Sequence, residues 1–149
     1  MEIINQSGKH TLKLETDFCG RKLGLEVNRV GFRATSSVLV TYGDTVVLGS
    51  VVVGSKPVVQ DFFPLSIDYE EKYYASGKIS SSKFIKREGK PSDNAVLVGR
   101  LIDRPIRPLF PKGYRQEIQV VTTVLSMDPS FRPDVIAMIA ASSALMLAG

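Results

Sequence analysis

Three arginines stand close together in the run RLIDRPIRPLF, at Arg100, Arg104 and Arg107. Arg100 and Arg104 are four apart and share one face of a helix, and Arg107 follows just beyond Pro105. Guanidiniums gathered this closely repel one another unless anions lie between them, and the single carboxylate within the run, Asp103, can neutralise only one. Arginine rather than lysine at all three positions suits a two-pronged grip on phosphate or carboxylate. The same spacing also fits arginines that pair with acids elsewhere in the fold or across a subunit contact.

The surrounding charge sharpens the choice of chemistry. Gly77–Arg115 holds ten basic and three acidic residues, so it carries +7 of a net +4 and leaves the rest of the chain at −3. A concentrated basic segment on a mildly acidic domain is a candidate surface for RNA, DNA or nucleoside phosphates, although a solvated basic loop has the same composition. Other chemistries fit poorly. GSVVVGSK (Gly49–Lys56) places Ser55 between glycine and lysine and reads as a strand, not as a phosphate-cradling loop. With one histidine, His10, and no GxSxG, a hydrolase triad fits equally poorly. Cys19 and His10 cannot make a structural zinc site, and Asp61, Asp68, Glu70 and Glu71 read as solvated carboxylates before they read as Mg²⁺ ligands. A lone cysteine favours a cytoplasmic setting. The polar start, Met1–Lys13, has neither the apolar run of a signal peptide nor the character of a transit peptide, and Val135–Ala148 is too short to span a bilayer.

A chain of 149 residues, 44% hydrophobic and 23% charged, has the material for one domain with a sizeable core. Its first half alternates with the period of strands at Leu12 and Leu14, at Leu23, Leu25 and Val27, at Val38, Val40 and Tyr42, and at Leu65, Ile67 and Tyr69. Thr35–Val53 reads as a β-hairpin turning at Gly43-Asp44, its second strand, Val46–Val53, apolar enough to be buried on both faces. Gly77–Pro91, with Ser80-Ser81-Ser82, reads as a long mobile loop. Ser92 is a helix N-cap with Asp93 in the first turn, Val96, Leu97 and Leu101 follow at helical spacing, and Pro105 is expected to end the helix. Ile118–Leu125 is a further strand. Pro133 and Asp134 open a last helix, apolar nearly all round and so expected to lie inside the fold, which implies that the chain is the front part of something larger.

Four stretches carry a resemblance: YGDTVVLGSVV (Tyr42–Val52), DFFPLSIDYEEKYYASGKI (Asp61–Ile79), FIKREGKPSD (Phe84–Asp93) and RLIDRPIRPLFPKGY (Arg100–Tyr114). In that order the chain resembles the first core domain of the bacterial polynucleotide phosphorylase family, and the RPIRPLFP run separates it from ribonuclease PH and exosome subunits, which share the fold. The resemblance implies an α+β, ribonuclease-PH-like fold (of the ribosomal protein S5 domain 2-like type), a β-sheet with packed helices, truncated within that first core domain. It further implies phosphate-dependent shortening of single-stranded RNA from its 3′ end with release of nucleoside diphosphates. Inorganic phosphate and Mg²⁺ would be partners, the Mg²⁺ held by the second core domain and not by this chain. A homotrimer, association with an RNA-degradation complex, a cytoplasmic location and no membrane contact complete that picture.

The resemblance assigns no catalytic residue and no metal ligand to this chain. It assigns RNA binding to Phe84, Lys86 and Arg87, which match a Phe-Phe-Arg-Arg loop at the mouth of a central channel, and to Arg100, Arg104 and Arg107, which match arginines on the approach to the catalytic region. Ile85 departs from that loop by lacking a π-face, and Lys86 keeps the charge while losing the planar fork. The rival reading is a non-catalytic assembly module whose basic segment faces protein. Replacing Lys86 and Arg87 together by Ala in the intact enzyme is expected to weaken single-stranded RNA binding with little dependence on sequence. The log–log salt slope should fall by about 1.4, and an unchanged slope would remove the two contacts from the RNA path.

Overall fold

The alternation read in the first half marks strands, and in those from Val38 onward one side finds an apolar layer and the other does not. The structure, a computed structural model, describes residues 2–6, 9–59, 61–78 and 89–149. Its strands are β1 (Glu2–Gln6), β2 (Lys9–Phe18), β3 (Arg21–Val27), β4 (Ser36–Tyr42), β5 (Thr45–Pro57), β6 (Leu65–Glu71) and β7 (Gln116–Ser126). They form one sheet in the order β1-β2-β3-β4-β5-β7-β6. All neighbours are antiparallel except β6 and β7, which run parallel. A parallel pair needs a crossover, and helix α1 (Asp93–Ile106) supplies it between β6 and β7. Helix α2 (Asp134–Ala148) follows β7. This is the α+β sheet with packed helices that the sequence suggests.

The β4–β5 hairpin turns at Gly43-Asp44, with Tyr42 opposite Thr45. Of the two turn residues only Gly43 has a positive φ, 57°, the first central position at which a type II′ turn takes glycine. The register puts Val38, Val40, Val47 and Val51 on one face, where they join Val120 and Val124 of β7 and the buried residues of both helices in a single core. α2 lies against β4, β5 and β7, and α1 against β6.

Three expectations are corrected. Val46–Val53 is buried on one face only, because both helices pack on that face; Val46, Leu48 and Ser50 are half-buried and Val52 is exposed. The last helix is likewise covered on one side: Ile136, Ala137, Ala140, Ala141 and Ala144 are buried, whereas Val135 is 58% and Met146 85% exposed. Pro105 does not end α1. It sits in the last turn, where its missing N–H removes a single rung, and the Arg107 N–H restores the ladder by donating to the Asp103 carbonyl. Buried Ile102 and Ile106 hold that turn on the core. β1 was not foreseen; Ile3 and Ile4 are adjacent and spoil the alternation.

The helix-to-sheet distance is set at Gly49. A Cβ there would meet the Ala140 carbonyl oxygen at 2.7 Å and its carbon at 2.8 Å, so only glycine lets α2 lie this close to β5. Gly49→Ala should therefore cost about 1–3 kcal/mol in denaturant unfolding, as overpacking does. Ala140→Gly should not rescue it, since the nearest atoms in the way are backbone.

Candidate nucleic-acid interface

α1 carries the sequence-predicted arginines, and its position follows from both its ends. At the N-terminus the Ser92 Oγ accepts from the Ala95 N–H (3.0 Å), the expected cap, and donates to Glu71 Oε2 (3.1 Å). Asn94 Nδ2 donates to Glu71 Oε1 (3.2 Å), so the last residue of β6 holds the first turn of α1 with both carboxylate oxygens. Midway, Gly99 brings the helix onto β6: a Cβ there would lie 3.3 Å from the Ile67 carbonyl oxygen. At the C-terminus Arg107 donates from Nε and Nη2 to the two oxygens of Asp103 (3.0 and 2.8 Å), and from Nη1 and Nη2 to the carbonyls of Phe63 and Leu65 (3.2 and 3.0 Å). Its guanidinium carbon stands 5.9 Å from the centre of the Phe63 ring, which packs with Phe110 and Tyr114.

Ala95, Val98, Gly99, Ile102 and Ile106 are the face turned to the core. Val96, Leu97 and Leu101, whose spacing marked the helix, lie on the opposite, exposed face together with Arg100 and Arg104. The structure thus separates the three arginines. Arg107 takes the one nearby carboxylate, and Arg100 and Arg104 make no hydrogen bond or ion pair with the described residues. Arg100 also lines a groove of about 360 Å³ between α1 and β6, where it and Arg107 face Asp68, Glu70 and Asp103. Acids outnumber arginines there, so the cationic surface is the outer face of α1 and not the groove.

A larger cleft, about 980 Å³, opens beside the N-terminus of α1. Tyr69, Val124 and Phe131 contribute to its wall, and Lys72, Lys78, Lys90 and Arg132 bring charge to it beside Tyr73. Lys72 pairs with Glu70 (3.2 Å) and Arg132 with Asp134 (3.1 Å), whereas Lys78 and Lys90 have no ion-pair partner among the described residues. Burial pushes the Tyr69 phenol well above its ordinary range, with the Glu71 carboxylate adding to it. The β7–α2 loop on one side is fixed by Arg21, which bonds Asp128 (3.3 Å) and lies 4.0 Å over the Phe131 ring. The Ser130 N–H, donating to Asp128 at 2.8 Å, and then Arg21 hold that carboxyl below its usual value.

Lys78 and Gly89 both line this cleft. The expected RNA-binding residues Phe84, Lys86 and Arg87, and most of the loop read at Gly77–Pro91, lie outside the described residues. Tyr73 and Arg132 were not singled out by sequence, because no spacing connects residues that only the fold brings to one cleft. Glu71, read as a solvated carboxylate, proves to be the anchor of the first turn of α1.

A mixed sheet whose β6–α1–β7 crossover and second helix share one face is the ribonuclease-PH-like architecture. A chain of the Archaeoglobus fulgidus exosome, solved with RNA bound to the active site, superposes with a TM-score of 0.60 at 24% identity, covering 80% of this chain and 48% of that one. Rice (Oryza sativa) Rrp46 superposes with a TM-score of 0.59 at 23% identity over 85% of this chain and 56% of that one. At these identities the likeness shows the fold. Residues 20–149 match the 3′ exoribonuclease family, domain 1 (RNase PH), and the chain belongs to that family. It is 54% identical over 140 residues to a polyribonucleotide nucleotidyltransferase of Rhizobium meliloti (93% of this chain, 19% of the relative). It is 57% identical over 132 residues to one of Thermomicrobium roseum (88% and 17%). The chain therefore spans about a fifth of the length of these relatives.

Ser92 joins the two halves of the α1 anchor, and its substitution separates them. Ser92→Ala should cost about 1 kcal/mol in thermal or denaturant unfolding. Ser92→Asp, an equally good cap, should recover little of this at neutral pH because it sets a second carboxylate against Glu71, and adding Glu71→Gln should restore the difference.

Proposed function

We propose that this chain is the first ribonuclease-PH-like core of a polyribonucleotide nucleotidyltransferase, and that within that enzyme it binds and orients single-stranded RNA and helps to build a homotrimer. The observation that carries the reading is 54–57% identity, over most of the chain, to relatives bearing that name. In the reaction an oxygen of inorganic phosphate attacks the terminal phosphodiester, the bond to the preceding 3′ oxygen breaks, and a nucleoside diphosphate leaves an RNA shorter by one residue. The reverse reaction polymerises nucleoside diphosphates.

The part assigned to this chain is binding. Arg100 and Arg104, exposed and without an ion-pair partner among the described residues, supply phosphate contacts from one helix face. Lys78 and Lys90 add to the positive surface and flank in sequence the stretch that contains Phe84, Lys86 and Arg87, to which we assign base stacking and further phosphate contacts. Among the described residues no three His, Cys, Asp or Glu side chains gather as metal ligands. Mg²⁺ would stabilise charge developing on the phosphorus-bound oxygens, and we assign it to the second core domain. Attachment to a larger RNA-degradation complex and a cytoplasmic location belong to the same proposal. Among the described residues no helix is long and apolar enough to cross a membrane.

Incubation with oligo(A), phosphate and Mg²⁺ should release ADP from the intact enzyme and none from the isolated chain; ADP from the chain alone would contradict the division of labour. A salt titration of RNA binding by the intact enzyme, carried out with and without Arg100→Ala and Arg104→Ala, separates this reading from a protein-facing assembly module. Two lost phosphate contacts lower the log–log slope by about 1.4, and a protein-facing helix leaves it unchanged.

A further inference from the structure

Arg107 has the chemistry of a phosphate ligand and the surroundings of a strap. An arginine presents five N–H donors, and four of those on Arg107 are committed, two to Asp103 and one each to the Phe63 and Leu65 carbonyls. The remaining Nη1 hydrogen cannot grip phosphate in two prongs. Turning the guanidinium outward would take both donors from Asp103 and one each from the Leu65 and Phe63 carbonyls, leaving the Phe63 carbonyl with the Leu65 N–H. The strap also sits where α1 needs one, since Pro105 has removed a backbone rung from the last turn. It joins that turn to the first residue of β6 and to the segment just before it. Arg104 is next to Asp103 in sequence and Arg100 lies one turn earlier, so the position of both depends on how this end of α1 is held.

We propose that Asp103 and Arg107 are positioning residues, a strap between the last turn of α1 and the start of β6 that holds Arg100 and Arg104 where they meet the RNA backbone, and that Arg107 is not itself a phosphate ligand. The inference rests on the RNA-binding reading of α1 given above. It makes a prediction of sign. If Arg107 were a phosphate ligand restrained by Asp103, Asp103→Asn would free it, remove a negative charge and tighten RNA binding. As a strap, the pair loses its ionic contact and binding weakens although the surface becomes more positive.

The test measures single-stranded RNA affinity across a salt series, with melting temperature in parallel, in the intact enzyme. The variants are Asp103→Asn, Arg107→Gln and the double change Arg100→Ala with Arg104→Ala, alone and combined. Asp103→Asn and Arg107→Gln should each weaken binding roughly threefold to tenfold, and neither should add to the loss in the double-alanine background, since coupled residues are not additive. Where Arg107→Gln does not fold, Arg107→Lys serves, because an ammonium cannot span Asp103 and two carbonyls together and should also weaken binding. Tighter binding by Asp103→Asn would overturn the strap. So would a further fall of about 0.7 in salt slope when Arg107 is changed in the double-alanine background. In either case a weakened double-alanine variant would leave the RNA reading standing. A double-alanine variant with unchanged affinity and slope would overturn the RNA reading itself, and the positioning role with it.

Discussion

The attachment of α1 to the edge strand β6 is the constraint from which the surface chemistry of this domain follows. Among the described residues β6 has a strand neighbour on one side only, and α1 lies against it with Glu71 at the helix start, Gly99 in the middle and Arg107 at the end. Each contact uses a different resource: a carboxylate that satisfies side-chain donors in the first turn, a missing Cβ that permits close approach, and a guanidinium that bridges a carboxylate and two carbonyls. A helix held at three points along its length has little freedom to roll. The residues it turns outward are thereby decided, and among them Arg100 and Arg104 are left without partners in the described residues.

Charge on this surface is organised by subtraction. The basic segment of the sequence contains more cations than its few acids can neutralise, and the fold assigns Asp103 and the neighbouring acids of β6 to structural work. Asp103 goes to Arg107, Glu71 to the first turn of α1, and Glu70 to Lys72 and the Thr123 hydroxyl. What remains positive is a set of side chains on the outer face of α1 and on the rim of the neighbouring cleft. The aromatic and cationic clamp of Arg21, Phe131 and Asp128 fixes the opposite wall of that cleft, tying the β7–α2 loop to the start of β3.

One-sided burial runs through the whole domain. Both helices pack on the same face of the sheet, so β4, β5, β6 and β7 show the alternation of a half-covered sheet, and each helix keeps an apolar stripe exposed. Leu97 and Leu101 on α1 and Val135 and Met146 on α2 are the clearest cases, with Leu97 64% exposed. Composition alone suggests full burial for such residues. The number of layers actually stacked decides otherwise.

Local chemistry settled much of this protein from its sequence. The Gly43-Asp44 turn, the Ser92 cap and the alternating strands depend on neighbours a few residues away, and they stand where the sequence places them. The long motifs from Tyr42 to Tyr114 were also sufficient to indicate the family. Tertiary structure decided what depends on distant partners. It buried Ala95, Val98 and Ile102 and turned Val96, Leu97 and Leu101 outward, because β6 lies on one side of α1 and nothing in the helix itself names that side. It carried the helix through Pro105, since packing of Ile102 and Ile106 outweighs the loss of one rung near an end. It also chose which arginine Asp103 would neutralise. Arg100, Arg104 and Arg107 are chemically alike in the sequence, but only Arg107 stands within reach of the Phe63 and Leu65 carbonyls, which come from a segment some forty residues earlier.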